Sequence, residues 1–157
     1  MLKYKKILIL NLYIIIYFAL IPIGFANSQM KIGLSTDIVM LDPQLAQTAP
    51  DWTPSSLIWN RLVEYDNTMM DPIPSIAESW TVSKDGKVWK FKIRKGITFH
   101  SGRELTSSDV VYSFKRGFEI GKKGRFAGHM VSVDSYKALS NYEFQVKLKQ
   151  VDVTFLG

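Results

Sequence analysis

The side chains that could carry out catalysis or bind a metal are few and widely separated in this sequence. His100 and His129 are the only histidines, and neither has a second ligand at the spacing of a metal-binding motif. Cysteine is absent, which excludes disulfides, cysteine-ligated metals and a cysteine nucleophile. The G-x-S-x-G motif of a nucleophile elbow is also absent. We therefore predict no catalytic residue, no metal and no cofactor, and we expect His100 to be a turn residue.

The glycine-rich segment 121–128 carries Lys122, Lys123 and Arg125 and could suggest a phosphate-binding loop. It lacks the G-K-[S/T] signature, and it follows a predicted helix where a phosphate loop follows a strand. We therefore predict a surface loop here.

Basic residues alternate with apolar residues over 89–94, a pattern that could also suggest a nucleic-acid platform. Trp89 and Phe91 would point to one face of a strand, whereas Lys90 and Lys92 would point to the other. Stacking of bases and binding of phosphates would then need both faces at once. The formal net charge of +6 owes much to the first residues of the chain and is weak evidence for such a partner. We predict a half-buried strand and no nucleic-acid partner.

Residues 1–26 have the three-part layout of a secretory signal peptide. A basic start precedes an apolar run from Ile7 to Ile21, and Gly24 and Ala26 place small residues before a cut at Asn27. An uncleaved anchor over residues 7–25 is the alternative, because this stretch nearly reaches the length of a membrane span. With no cysteine to acylate, we expect the mature chain, residues 27–157, to be free in a periplasm.

The first part of the mature chain predicts little regular structure. Lys31–Ser35 alternates like a short strand, and residues 36–51 read as a loop. Thr53 followed by Pro54 predicts a helix start, with Thr53 as the N-cap and Pro54 at the first helical position. The apolar face of this helix would be formed by Leu57, Ile58 and Leu62, and Val63–Tyr65 would follow as an extended segment.

The middle of the chain predicts a β-hairpin. Trp89, Phe91 and Ile93 alternate with basic residues, and Trp80 with Val82 offers a shorter matching strand. The Asp-Gly pair at 85–86 lies between these runs and favours a tight turn.

A capped helix and further strands are predicted next. Thr106 and Asp109 have the spacing of a capping box, and apolar residues then recur at helical intervals up to Phe118. Strands are predicted at Val131–Val133 and at Phe144–Leu148. The resulting mixture is α/β in class and locally α+β.

The order of these blocks resembles the family 5 extracellular solute-binding proteins, the receptors of ABC importers for peptides, nickel complexes or haem. The matching blocks are Leu41-Asp42-Pro43, Trp59–Tyr65, Pro74–Trp80, Phe91–Gly102 and Leu105–Phe114. They follow the family order and cover most of the mature chain.

The resemblance implies a two-lobed periplasmic binding protein fold, type II-like with an extra subdomain, that closes on its ligand by a hinge. Members of this family are several times longer than 157 residues. We therefore expect residues 27–157 to form an incomplete, N-terminal portion of such a receptor.

The function implied by the resemblance is capture of a peptide or related small solute and delivery to an inner-membrane permease, without a catalytic step. Two alternatives stay open: a truncated, non-functional exported fragment, and a secreted hydrolase. Candidate ligand-binding residues, chosen from their position in the loop, are Thr36, Asp37, Gln47 and Trp52. Each of them could instead have a structural role; Trp52, for example, could close the core beneath the loop.

Overall fold

The computed structural model describes residues 30–66, 68, 71–121 and 127–156. The chain divides into two compact units, Met1–Gly33 and Leu34–Gly157. The predicted signal peptide and its cut before Asn27 lie outside the described residues, as does the basic part of the glycine-rich loop, residues 122–126. Within the described ranges, no helix has both the length and the apolar character needed to cross a membrane.

Three helices and six strands are assigned among the described residues. In chain order they are α1 (Ala49–Ile58), β1 (Val63–Tyr65), β2 (Pro72–Pro74), β3 (Ala77–Val82), β4 (Val88–Ile93), α2 (Ser107–Ile120), α3 (Ala127–Met130), β5 (Val133–Ser140) and β6 (Glu143–Leu148).

The largest element is an antiparallel four-stranded sheet with the order β3-β4-β6-β5. The predicted alternation of β4 is confirmed, because Phe91 and Ile93 are buried while Lys90 and Lys92 are exposed. Phe91 is opposite the fully buried Phe144 of β6, so the apolar residues of both strands share one face. This face forms the hydrophobic core.

Helix α2 covers the apolar face of the sheet. Its Phe114 packs on Phe144 with 4.9 Å between ring centroids, and Phe118 stacks on Tyr136 of β5 at 5.5 Å. The predicted capping box is confirmed at its start. There the Asp109 carboxylate accepts a hydrogen bond of 2.8 Å from the Thr106 amide. The helical apolar stripe and the alternating strands therefore meet as the sequence predicts.

The turn between β3 and β4 requires its glycine. Gly86 has a φ of 71°, in the left-handed region, and its amide donates to the Ser83 carbonyl at 2.9 Å. The Asp85 carboxylate accepts from the Lys87 amide at 3.2 Å. The predicted Asp-Gly hairpin is confirmed.

A two-stranded ribbon of β1 and β2 lies next to the main sheet. Val63 pairs with Pro74, and Tyr65 pairs with Pro72. The Ala77 amide at the start of β3 donates to the Leu62 carbonyl at 2.8 Å, which joins the ribbon to the sheet. The prediction of an extended Val63–Tyr65 segment is confirmed.

One predicted strand is wrong, and another begins two residues later than predicted. Residues 31–35 form no strand, and no described strand pairs with them. Strand β5 begins at Val133, whereas Val131 lies in an exposed turn. Alternation over three to five residues is too short to specify a strand unless a neighbour supplies its backbone partners.

The predicted start of the first helix is also wrong. Helix α1 begins at Ala49, its N-cap is Thr48, and Pro54 lies inside it. Pro50 lies in the first turn, where the fixed φ of proline suits a helix start. The prediction had assigned this role to Pro54. Pro54 has no amide hydrogen, so the helix lacks one internal hydrogen bond at this position.

Two of the three residues predicted for the apolar face of this helix are exposed, whereas Leu62, which lies beyond its end, packs against the core. Leu57 is 75% exposed and Ile58 is 43% exposed. Its buried residues are instead Pro50, Asp51 and Ser55. This face packs through polar contacts with the preceding loop, which the hydrophobic pattern could not indicate.

Candidate functional site

The four predicted ligand-binding residues lie on one stretch of chain, here called the 36–52 segment (residues 36–52). Thr36, Asp37 and Gln47 are exposed on its irregular part. Trp52 is half-buried in α1, which corrects the prediction that it lies on a loop. The Arg61 guanidinium lies over the Trp52 ring, 5.9 Å from its centroid.

The 36–52 segment is closed on itself by Asp51, a residue that the sequence analysis did not single out. One carboxylate oxygen accepts hydrogen bonds from the Val39 amide at 2.9 Å and the Met40 amide at 3.0 Å. The other accepts from the Thr48 hydroxyl at 2.7 Å. Asp51 is only 3% exposed, so these bonds replace water almost completely. The carboxylate thereby holds the extended residues after Asp37 against the first turn of α1.

The hydrogen bonds to Asp51 also fix its charge state. The Thr48 hydroxyl first, and then the Val39 and Met40 amides, stabilise the anion and hold the pKa of the Asp51 carboxyl below its ordinary range. The first turn of a helix is a favourable place for such a negative charge. Asp51 is therefore an anion at neutral pH.

A tight turn at Asp42 shapes the middle of the segment. The Asp42 carbonyl accepts from the amides of Leu45 at 3.1 Å and Ala46 at 2.9 Å. One oxygen of its side chain accepts from the Gln44 amide at 3.0 Å. Ala46 is fully buried beneath this turn. The Leu-Asp-Pro motif therefore reverses the chain direction through both the backbone and the side chain of its aspartate.

The segment is also bound to the far end of α1. The Leu41 carbonyl accepts from the Trp59 indole nitrogen at 3.0 Å and lies 3.4 Å from the Ser55 hydroxyl. The backbone of this irregular segment is therefore hydrogen-bonded to α1 at two places: to Asp51 near the start of the helix, and to Ser55 and Trp59 near its end. The exposed polar residues Thr36, Asp37 and Gln47 are therefore carried on an ordered frame.

The described residues give no support to metal binding. No group of three or more potential ligands lies close together among them. His100 is exposed in a turn, as predicted. The His129 side chain lies outside the described part.

The exposed face of the four-stranded sheet has the polar character expected from the sequence. Lys92 pairs with Glu78 at 2.6 Å, and Lys147 pairs with Asp134 at 3.1 Å. The aromatic residues of the same strands point to the core, on the opposite face. This arrangement matches the predicted half-buried strand.

Comparison with protein families decides the classification. Residues 71–157 match the family model described as bacterial extracellular solute-binding proteins, family 5 Middle. The chain belongs to this family. The match includes the hairpin, α2 and the last two strands, so the resemblance inferred from the sequence blocks is confirmed.

The dipeptide-binding protein of Escherichia coli K12 is 36% identical over 121 residues, which are 71% of this chain and 22% of that protein. Haem-binding protein A of Haemophilus influenzae is 36% identical over 104 residues, covering 62% of this chain and 18% of the relative. The chain thus spans about a fifth of the length of these two relatives.

Among solved structures, the binding protein MoaA from Agrobacterium tumefaciens R10, in complex with mannopinic acid, superposes with a TM-score of 0.69 at 27% identity. The match covers 76% of this chain and 25% of that one. The predicted fold is confirmed as the mixed α/β fold of periplasmic binding proteins.

Proposed function

We propose that this chain is part of the periplasmic substrate-binding component of an ABC importer, and that its solute is a peptide or a related small molecule. The observation that carries the proposal is the family match over residues 71–157. Two relatives named for dipeptides or for di- and tripeptides favour a peptide as the solute. Binding would be reversible, and delivery to a membrane permease would complete the function without a catalytic step.

We assign the ligand contacts to the 36–52 segment, through Thr36, Asp37, Gln47 and Trp52. Three of these side chains are exposed, and Asp51 orders the backbone next to them. Ile38 and Val39, which follow Asp37, expose apolar side chains beside these polar groups. A surface of this composition suits a peptide, which offers both a polar backbone and apolar side chains.

Export through residues 1–26, with cleavage before Asn27, is part of the same proposal. The test is to express the complete sequence in a Gram-negative host, fractionate the cells and sequence the N-terminus of the soluble product. We expect a periplasmic product that begins at Asn27. Retention in the membrane with an intact N-terminus would contradict this and support the anchor.

Solute binding is tested by thermal unfolding with trialanine, nickel–histidine, haemin or mannopinic acid. We expect trialanine to raise the unfolding temperature, because ligand at about 100 times its Kd stabilises a protein by about 2.7 kcal/mol. Asp37→Ala and Trp52→Ala should weaken the shift. Lys137→Ala, an exposed change on β5, is the matched control.

The other outcomes separate the alternatives. A shift with haemin or nickel–histidine alone would replace peptide as the solute class. No shift with any compound would favour the truncated, non-binding fragment. Release of alanine from trialanine by the purified protein would favour the hydrolase.

A further inference from the structure

Arg116 links α2 to the middle of the 36–52 segment, although 74 positions separate it from Asp42. Both terminal nitrogens of its guanidinium donate to the Asp42 carboxylate. Nη1 lies 3.1 Å from Oδ1, and Nη2 is hydrogen-bonded to Oδ2. The first of these nitrogens also donates to the Gln44 side-chain oxygen at 2.6 Å. The Gln44 amide group in turn donates to the Ser113 carbonyl of α2 at 2.9 Å.

This arrangement differs from an ordinary surface ion pair. The Arg116 and Asp42 side chains are 34% and 25% exposed, so both are partly removed from solvent. The planar guanidinium meets the carboxylate with two nitrogens, a geometry that lysine cannot reproduce. The other basic residue beside it, Lys115, forms only an exposed pair with Glu119 at 3.7 Å. Arg116 is therefore the better oriented of the two cations.

Asp42 and Gln44 belong to the turn that directs the rest of the segment. Because Asp42 accepts the Leu45 and Ala46 amides, a cation that fixes Asp42 also fixes the path toward Gln47. We propose that Arg116 is a positioning residue for the 36–52 segment: it contacts no ligand but sets the orientation in which this segment is presented. The relevance to solute capture rests on the proposed function, whereas the positioning itself does not.

The test is amide hydrogen exchange on the protein expressed from its complete sequence, comparing wild type with Arg116→Gln. We expect exchange of the Gln44, Leu45 and Ala46 amides to become roughly tenfold faster, the order expected for losing a charge-assisted bidentate pair. The amides of β4 and β6 should be unchanged. Arg116→Lys should restore part of the protection, because it keeps the charge but not the fork.

Lys115→Gln is the matched control, since it removes one positive charge from the same turn of α2 and should leave residues 44–46 unchanged. Asp42→Asn provides a second approach should Arg116→Gln fail to fold. Its side-chain oxygen can still accept the Gln44 amide while the ion pair is lost, so faster exchange is again expected. Unchanged protection at residues 44–46, or equal loss throughout β4 and β6, would overturn the proposal.

Trialanine binding by the same samples separates this proposal from the proposed function. A weaker affinity in Arg116→Gln, with an unchanged denaturation midpoint, supports positioning for capture. If wild type binds no trialanine while residues 44–46 still respond to Arg116→Gln, the positioning role stands and the peptide-binding proposal fails.

Discussion

The four-stranded sheet with α2 and the 36–52 segment are held in place by different kinds of interaction. The sheet and helix bury alternating apolar side chains, with Phe91 and Phe144 essentially inaccessible to water. The 36–52 segment buries only two apolar residues, Ala46 and Pro50, and depends on the carboxylates of Asp42 and Asp51 for its path. We therefore expect the sheet and helix to be insensitive to local changes of charge, and the 36–52 segment to respond to pH and to single polar substitutions.

This difference fits the proposed roles of the two regions. A ligand-facing segment needs exposed polar groups and so cannot gain stability by burying them. Hydrogen bonds to a buried anion provide order without an apolar core. The sheet with α2 is then the scaffold, and the segment is the part attached to it.

The largest effect is expected from a change in the scaffold. Phe144→Ala removes a fully buried ring that packs on Phe91 and Phe114. We expect the free energy of unfolding to fall by about 3–5 kcal/mol, as is typical of aromatic-to-alanine changes in a core. Urea denaturation followed by far-UV circular dichroism measures this loss.

The matched control for Phe144→Ala is Phe99→Ala, since Phe99 is a partly exposed aromatic in the loop before α2. We expect it to cost less than half as much. Equal losses from both substitutions would contradict the assignment of the core to this sheet face.

An effect of intermediate size, confined to the 36–52 segment, is expected when the pH is lowered. Hydrogen bonds lower the pKa of Asp51, so its contribution is present above the ordinary aspartate value of about 3.9 and is lost as the pH falls through the lower folded-state value. Protection factors of the Val39 and Met40 amides should therefore decrease as the pH falls below about 4 and through the lowered pKa of Asp51. Amide exchange, corrected for intrinsic rates, follows this decrease.

Asp51→Asn tests whether Asp51 is the group that controls this response to acid. It should lower the protection of Val39 and Met40 at neutral pH and remove most of its dependence on acid. The amides of β6 should keep their protection in this variant. An acid response at Val39 that persists in Asp51→Asn would show that another group controls the segment.

The smallest effect is expected at Gly117 of α2, which lies near both Met130 of α3 and the Gln44 side chain. A Cβ at Gly117 would lie 2.6 Å from Met130 Cε and 3.8 Å from the Gln44 side-chain nitrogen. Because Met130 Cε ends a flexible side chain, it can move, and alanine also favours a helix by roughly 0.5–1 kcal/mol over glycine. We expect Gly117→Ala to change the free energy of unfolding by less than about 1 kcal/mol in either direction, measured by urea denaturation. A loss larger than that of Phe99→Ala would show that Met130 cannot yield.

The scaffold was largely predictable because its signals are local and repeated. Alternation over Trp89–Ile93, the Asp-Gly turn at 85–86 and the spacing of Thr106 and Asp109 each specify structure within a few residues. Cross-strand pairing with Phe144–Leu148 then follows from matching apolar faces.

The start of α1 was missed although its signal has the same form. Thr48 precedes Asp51 by three residues, as Thr106 precedes Asp109, and both threonines are N-caps. The prediction chose the Thr53-Pro54 pair instead, although only Thr48 has an acidic residue three positions on. In the folded chain the Asp51 carboxylate at this helix start also accepts hydrogen bonds from the Val39 and Met40 amides, which no local rule indicates.

The link between Asp42 and Arg116 could not have been read from the sequence. No spacing rule relates residues 74 positions apart, and many other pairs of opposite charge are available in the chain. Only the packing of α2 on the sheet brings the two side chains together. The groups that order the segment were thus not identifiable from the sequence.

The two prolines of β2 determine how this part of the molecule meets other chains. Neither Pro72 nor Pro74 has an amide hydrogen, so the three-residue strand has a single donor, on Ile73. An incoming strand could find little to pair with along this border of the ribbon. The ribbon thus ends in a border that resists extension into an intermolecular sheet.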